Sequence, residues 1–274
     1  MRPGFDSELG RYFPIGRSYA RATLNMNELM LDLDSMLIPF TKSRIPMGWA
    51  VSPFTCLVPN AAVVPILQGP GRGIRWVVGS GMPNFWLGTY EREKYEAFSR
   101  AMSPDIVVYD IGANVGIYSV LACRIVGVNG RVFAFEPAST NLSYLNSNIR
   151  ANRFSNCEVI PMAVSNTDGT VQFELGRDFC VGKISTHGLL RVPCISLDSF
   201  TANGKPLPNL MKIDVEGAEY EVLTGARKVI SMAKPAIFLA THGQKVHTSC
   251  CDLLRDFGYQ LQLLAPDEVV ARHL

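Results

Sequence analysis

Four polar residues close short apolar runs: Asp110 follows Ile106 to Tyr109, Glu136 follows Arg131 to Phe135, Asp214 follows Leu210 to Ile213, and His242 follows Pro235 to Thr241. Carboxylates so placed accept hydrogen bonds from sugar hydroxyls or take protons, and an imidazole titrates close to neutrality. Singly, each strand-end acid is as readily a helix cap or a structural partner. Together they point to one site, because ligands of open α/β sheets bind outside the carboxyl ends of the strands. Between the first two acids lies Gly112-Ala113-Asn114-Val115-Gly116, where two residues without Cβ let the backbone approach a ligand. Glu136 comes about 20 residues after Gly116, the spacing at which an acid accepts hydrogen bonds from a ribose diol. An adenosine ligand is expected. The G-x-G-x-x-G dinucleotide pattern fails, since Asn114 and Ile117 stand where it needs glycine, and no G-x-x-x-x-G-K-[ST] phosphate loop occurs.

The elements that must position these residues follow from periodicity. Ile106 to Tyr109 has the β-branched and aromatic character of a buried parallel strand, and Ile117, Val120, Leu121 and Ile125 form one helix face after the glycine turn. Further strands are predicted at Arg131 to Glu136, Glu158 to Ala163, Leu210 to Asp214 and Pro235 to Ala240. The helix after Glu136 packs through Leu142, Leu145 and Ile149, Glu216 is expected to begin a helix that Gly225 interrupts, and Leu253, Leu254 and Phe257 lie on a helix stopped by Gly258. Tyr259 to Leu264 and Val269 to Leu274 close the sheet as a hairpin. This alternation predicts a mostly parallel sheet covered on both faces. Asn166-Thr167-Asp168-Gly169 signals a turn, and Thr170 to Leu175 with Leu190 to Ser196 reads as a β insertion in which a substrate pocket could be individualised.

Three regions result: 1–45, an N-terminal arm and helix; 46–104, a small β-rich segment with a lead-in helix; and 105–274, the binding domain. The arm carries Arg2, Arg11, Arg17 and Arg21, then Leu29, Leu33, Met36 and Leu37 on one helix face. It is read as a solvated arm and a packed helix, the functional alternative being a cover for a substrate or for the second subunit of a homodimer. Gln68-Gly69-Pro70-Gly71-Arg72-Gly73 reads as a hairpin turn, because no helix pattern follows it.

Composition excludes some partners. Lys and Arg total 26 against 24 Asp and Glu, so no global charge argues for nucleic acid or an anionic membrane. No secretory signal and no membrane-spanning run is evident, and the seven cysteines form no C-x-x-C pair, so a soluble, cytoplasmic protein with reduced thiols is expected.

From Tyr109 to Leu264 the chain resembles the FkbM family of methyltransferases. The resemblance is carried by Asp110-Ile-Gly-Ala-Asn-Val-Gly116, Phe135-Glu136-Pro137 with Asn141, Asn148 and Asn152, Ala163-Val164-Ser165 before Asp168-Gly169, Ile195-Ser196-Leu197-Asp198, and Met211-Lys-Ile-Asp-Val-Glu-Gly-Ala-Glu219. Gly88-Thr89-Tyr90-Glu91 is similar to the family's lead-in. Ala240-Thr241-His242-Gly243 departs from the acid-then-histidine ending common there. The resemblance implies a Rossmann-like, seven-stranded, mostly parallel α/β sheet of the class I methyltransferase type with an N-terminal α+β extension. It also implies S-adenosylmethionine as cofactor and methyl transfer to a hydroxyl of a sugar, glycan or small natural product. The cofactor residues it implies are Asp110, Gly112, Ala113, Asn114, Gly116 and Glu136, with Met162, Ala163 and Glu91.

The chemistry has its own requirements. A sulfonium is already an activated methyl donor, so the protein must align the reacting atoms and exclude water. A sugar hydroxyl is a poor nucleophile while protonated, so a nearby base helps. His242 is the titratable candidate, and Asp214 could orient it, take the proton itself, or bind the cofactor's amino group. Asp214 and Glu216 also allow a divalent cation, although the metal-free reading is preferred because an acid opening a helix serves its N–H groups. Lys212, inside a strand, is expected to have a structural partner or to snorkel. The alternative functions are methylation of a macromolecule, RNA or protein, and a non-catalytic adenosine-binding scaffold. RNA is disfavoured by the lack of a basic patch with interleaved aromatics beyond the first 21 residues.

Overall fold

A computed structural model describes residues 58–176 and 182–273. The expected arm and helix of region 1–45 lie outside the described residues. The first described elements are a small antiparallel hairpin, β1 (Val63–Pro65) and β2 (Arg75–Val77), and two helices, α1 (Pro83–Leu87) and α2 (Arg92–Arg100). Gln68 to Gly73 is the hairpin connection, with the Arg72 and Gly73 N–H groups donating to the Gly69 and Ile66 carbonyls. Trp76 of β2 is fully buried and meets Phe85 edge to face.

The main sheet has seven strands. In chain order they are β3 (Val107–Ile111), β4 (Arg131–Phe135), β5 (Cys157–Ile160), β10 (Leu210–Ile213), β11 (Ala236–Ala240), β12 (Tyr259–Ala265) and β13 (Glu268–His273). Their spatial order is β12-β13-β11-β10-β3-β4-β5, all parallel except β13, which runs antiparallel to both its neighbours, β11 and β12. The chain winds from β3 outward through α3 (Ile117–Val126), β4 and α4 (Ser139–Asn152) to β5, then returns to β10 on the other side of β3. The switch of direction therefore falls between β3 and β10, where open α/β sheets bind ligands.

Strand alternation explains the two cores. Val108, Val132, Ala134, Leu210 and Phe238 turn to the face covered by α2, α3 and the small hairpin. Tyr109, Ile111, Phe133, Met211 and Leu239 turn to the opposite face, covered by α5 (Leu197–Ala202), α6 (Glu219–Thr224), α7 (Arg227–Ala233) and α8 (Gln244–Asp256). Asp110 and Lys212 are register neighbours on β3 and β10, so two charged side chains stand together on an otherwise apolar face.

The asparagines of α4 explain how the hairpin is attached. Asn152 accepts from the Arg75 N–H at 2.8 Å and donates to its carbonyl at 2.7 Å. One turn earlier, Asn148 accepts from the Val77 N–H and donates to the Val115 carbonyl, both at 2.9 Å. Side chains four residues apart on a helix thus imitate the next strand and satisfy the open edge of β2.

One sequence expectation needs correction. Glu158 to Ala163 is not one strand: β5 ends at Ile160, and β6 (Ala163–Val164) joins a second, four-stranded sheet, β6-β9-β7-β8. Pro161 has no N–H for a ladder, and the chain changes sheets there. The second sheet is the β insertion, with β7 (Gly169–Leu175) antiparallel to β9 (Leu190–Ile195) as expected. It also contains β8 (Gly182–Ile184), antiparallel to β7, a strand too short to show a period in the sequence.

Candidate active site

The carboxyl ends of β4, β3, β10 and β11 are consecutive in the sheet, and they bring Glu136, Asp110, Asp214 and His242 to one side of the molecule. Against them lies a cleft of about 860 Å³, open mouth included, whose floor is Gly112 to Val115. Gly112 has φ 77° and Gly116 φ 97°, both left-handed. A Cβ on Gly112 would overlap the Asp214 carbonyl oxygen, and one on Gly116 would meet Leu145, so the loop can lie this close to β10 and α4 only with glycine. The N–H groups of Gly112 and Ala113 donate to the Phe135 carbonyl at 3.1 and 2.9 Å.

Glu136 clamps this loop. Its Oε2 accepts from the Asn114 N–H at 2.9 Å, and its Oε1 accepts from the Ala138 N–H at 2.8 Å and from the Asn141 side chain at 3.3 Å. Burial pushes its carboxyl above the usual range, although these donors and Lys212 pull the other way. Met162 and Ala163 line the cleft beside Glu136, facing Phe173 and Ile184 of the β insertion. This apolar slot next to a carboxylate has the shape and chemistry for a purine and its ribose. The loop residues, Glu136, Met162 and Ala163 are therefore gathered at one end.

Asp110 and Glu91 sit one layer back, outside the cleft lining. Asp110 is fully buried, accepts from the Ser119 hydroxyl at 2.6 Å and lies 3.6 Å from the Lys212 ammonium. Glu91 accepts from the Tyr118 hydroxyl at 2.6 Å and faces Lys94 at 3.3 Å. Both hold residues that touch the cleft: Lys212 donates to the Gly112 carbonyl at 2.9 Å, and Tyr118 forms part of the wall. Lys212 thus has structural partners and does not snorkel.

The other end is built of side chains. Asp214 and Glu216 line it, with Phe85, Tyr90 and Tyr118 as an aromatic wall. The Asp214 Oδ2 lies 3.6 Å from Lys212 and 3.7 Å from Lys94. Burial raises the Asp214 pKa, but the two ammoniums and His242 outweigh it and hold the carboxyl below its ordinary range. Lys94, itself buried, is kept charged by Asp214, Glu91 and Glu268, which overcome the opposing effect of burial. His242 Nε2 stands 3.3 Å from Glu216 Oε2 and 3.9 Å from Asp214 Oδ1.

Glu216 does not begin a helix, as had been expected. It lies in the turn before α6 with φ 58°, and α6 starts at Glu219. Glu219 does the work assigned to Glu216: its Oε1 accepts the Gly217 N–H at 2.9 Å and the Val215 N–H at 3.3 Å. Glu216 is thereby released toward the cleft, where burial raises its carboxyl pKa. Asp214, Glu216 and His242 each offer an atom within 4.8 Å of the others, a spacing open to a cation. Sequence reasoning missed Lys94, Phe85 and Tyr118, which carry no motif, and gave Tyr90 of the lead-in segment no role. Glu219 stood inside the recognised segment without a role.

Charge separates the ligands this cleft could take. Among the described residues, three carboxylates, Glu136, Asp214 and Glu216, line it with one ammonium, that of Lys212. A pyrophosphate would be repelled; a cationic group would be attracted.

The methyltransferase FkbM domain matches residues 110–261. The hexuronic acid methyltransferase AglP of Haloferax volcanii is 37% identical over 126 residues, which is 44% of this chain and 50% of that protein. The chain thus spans about half the length of this curated relative. The crystal structure of methyltransferase FkbM from Methylobacillus flagellatus superposes with a TM-score of 0.51 at 22% identity, over 69% of this chain and 52% of that one, which gives the class I, Rossmann-like fold. With the domain match extending over more than half its length, the chain belongs to the FkbM methyltransferase family.

Proposed function

We propose that the protein is an S-adenosylmethionine-dependent O-methyltransferase whose acceptor is a hydroxyl of a sugar, a glycan or a small natural product. The observation that carries this reading is the two-ended cleft: a glycine loop and Glu136 at one end, and Asp214 and Glu216 at the other, with His242 just outside the lining, 3.3 Å from Glu216 and 3.9 Å from Asp214. Family membership supports methyl transfer, and the relative named for hexuronic acid supports a sugar acceptor.

The residues divide the task. The loop from Gly112 to Gly116 receives the methionine part, Glu136 accepts from the ribose diol, and Met162, Ala163, Phe173 and Ile184 enclose the purine. S-adenosylmethionine supplies a methyl group already activated on a sulfonium. Asp214 and Glu216 favour that positive charge, and Phe85, Tyr90 and Tyr118 give a sugar ring an apolar wall. When the acceptor oxygen bonds the methyl carbon and the carbon–sulfur bond breaks, the hydroxyl proton passes to His242 Nε2. His242 is held cationic by Glu219, Glu216 and Asp214, its pKa raised to about 9, so it becomes a base only as pH rises.

The second reading places a divalent cation among Asp214, Glu216 and His242, favoured by their 4.8 Å grouping. The metal-free reading stays first because an imidazolium already supplies positive charge between the two carboxylates and both lysines face Asp214. Activity unchanged by a chelator is the expected result; loss restored by magnesium or manganese would select the cation. We place the reaction in the cytoplasm, a reducing compartment that suits the free thiols of the described cysteines Cys123, Cys157, Cys194, Cys250 and Cys251.

The test is incubation with methyl-labelled S-adenosylmethionine and a panel of methyl glycosides, neutral and uronic. A labelled methyl ether detected by mass spectrometry is expected; label on nitrogen or carbon acceptors alone would overturn O-methylation.

A further inference from the structure

We propose that Glu219 is a positioning residue whose buried carboxylate fixes the tautomer and orientation of His242 while folding the turn that presents Glu216 to the cleft. This rests on the reading of His242 as the base. Glu219 is fully buried, and one of its oxygens, Oε1, serves three donors: the Gly217 N–H, the Val215 N–H and the His242 ring. Burial alone would raise its carboxyl pKa, but His242 and the Gly217 N–H outweigh it, so the group stays ionised.

The tautomer follows from donor chemistry. Oε1 already accepts the Gly217 and Val215 N–H groups, so at 2.9 Å from this acceptor the Nδ1 of His242 must carry a hydrogen. A neutral ring is then left with its lone pair on Nε2, the nitrogen that faces Glu216 and Asp214, two residues of the cleft lining. Glu219 makes the shortest contact to the ring: Glu216 and Asp214 stand farther off at 3.3 and 3.9 Å, the His242 side chain is 37% exposed, and Gly243 follows it with φ 106°. The turn has the same dependence. Glu216 and Gly217 are successive left-handed residues, with φ 58° and 109°, and the N–H groups that bracket Glu216 both end on Glu219. The charged groups facing His242 are Glu219 from α6, Glu216 from the turn and Asp214 from the end of β10; Lys94 and Lys212 reach Asp214.

The test is histidine-ring NMR on the full chain, with the His242 signal assigned by its loss in His242→Ala. In the wild type the ring should titrate near 9, and its neutral form should be the Nδ1–H tautomer. Glu219→Gln keeps an oxygen for the turn and removes the charge. It should lower the midpoint by at least about one pH unit, mix the tautomers, and leave S-adenosylhomocysteine affinity within about threefold. With methyl glucuronoside or methyl glucoside as acceptor, kcat should fall about 10- to 100-fold with KM within about threefold, and the double variant with His242→Ala should be no slower than His242→Ala alone. Glu219→Asp, which withdraws the carboxylate by one methylene, should fall between wild type and Glu219→Gln and serves if the latter does not fold. An unchanged midpoint and tautomer in a folded Glu219 variant overturns the proposal while leaving the base reading intact. Undiminished kcat in His242→Ala overturns the base reading, and the proposal with it. If neither glycoside is methylated, the ring titration decides.

Discussion

At the glycine-loop end of the cleft, the groups offered to a ligand are main-chain atoms of Gly112 to Val115 and a carboxylate held by backbone N–H donors. At the His242 end they are side chains from two separate segments, Asp214 and Glu216 after β10 and His242 after β11, held by one another's charges and by the buried Glu219. The first kind of site depends on φ angles and on the absence of Cβ atoms, so it tolerates almost no substitution and responds little to pH. The second depends on which groups are ionised, so it is tunable and responds strongly. A donor that is always the same molecule suits the first; an acceptor that varies within a family suits the second.

Substitutions can break this contrast in order of effect. Gly112→Ala should do the most damage, abolishing S-adenosylhomocysteine binding in calorimetry and destabilising the fold by on the order of 3 kcal/mol in urea, because a left-handed residue would press its Cβ on the Asp214 carbonyl. His242→Ala should reduce kcat by about 10²- to 10⁴-fold while the S-adenosylhomocysteine affinity moves by less than about threefold. The reverse pattern, lost binding with normal turnover, would place His242 at the donor end. Glu136→Ala should weaken S-adenosylhomocysteine by about 10- to 100-fold, since it removes the diol acceptor and orphans the Asn114 and Ala138 N–H groups.

The pH dependence is gentler and sharpens the same distinction. Because the folded pKa of His242, about 9, exceeds its ordinary 6.5, its stabilising contribution is fully present below about 6.5 and is lost as pH rises through about 9. The melting temperature should decline slightly across that window, and less in His242→Gln. Over the same range kcat/KM should climb to a plateau as the imidazolium of the free enzyme loses its proton. A flat profile between pH 6.5 and 9 would remove the base from His242.

How far the sequence foretold each end follows from the same contrast. Glycine spacing and an acid at the next strand end are local features, and Gly112, Gly116 and Glu136 stand where they were read. The main sheet was nearly as legible, since its strands carried their own apolar runs; only at Pro161 did one run conceal a change of sheet. Asp214, Glu216 and His242 were found one by one, but their arrangement was not. It depends on Glu219, which is set by a turn with two left-handed residues that no periodicity reveals. Lys94 comes from another helix altogether and meets Asp214 only through tertiary packing. Several residues of the recognised segments proved to be scaffold: Asp168 accepts from the Ser196 N–H, Asp198 from those of Lys228 and Val229, and Asn148 and Asn152 carry the hairpin. Pattern alone could not tell them from residues that touch a ligand, because both roles require a fixed polar atom.

The most direct measurement is isothermal titration of the full chain with S-adenosylhomocysteine and, separately, with NAD. The expected result is saturable one-site binding of S-adenosylhomocysteine that Glu136→Ala weakens, and no heat with NAD. Binding of NAD without binding of S-adenosylhomocysteine would contradict the assignment of the glycine-loop end, and with it the methyl transfer proposed for the whole cleft.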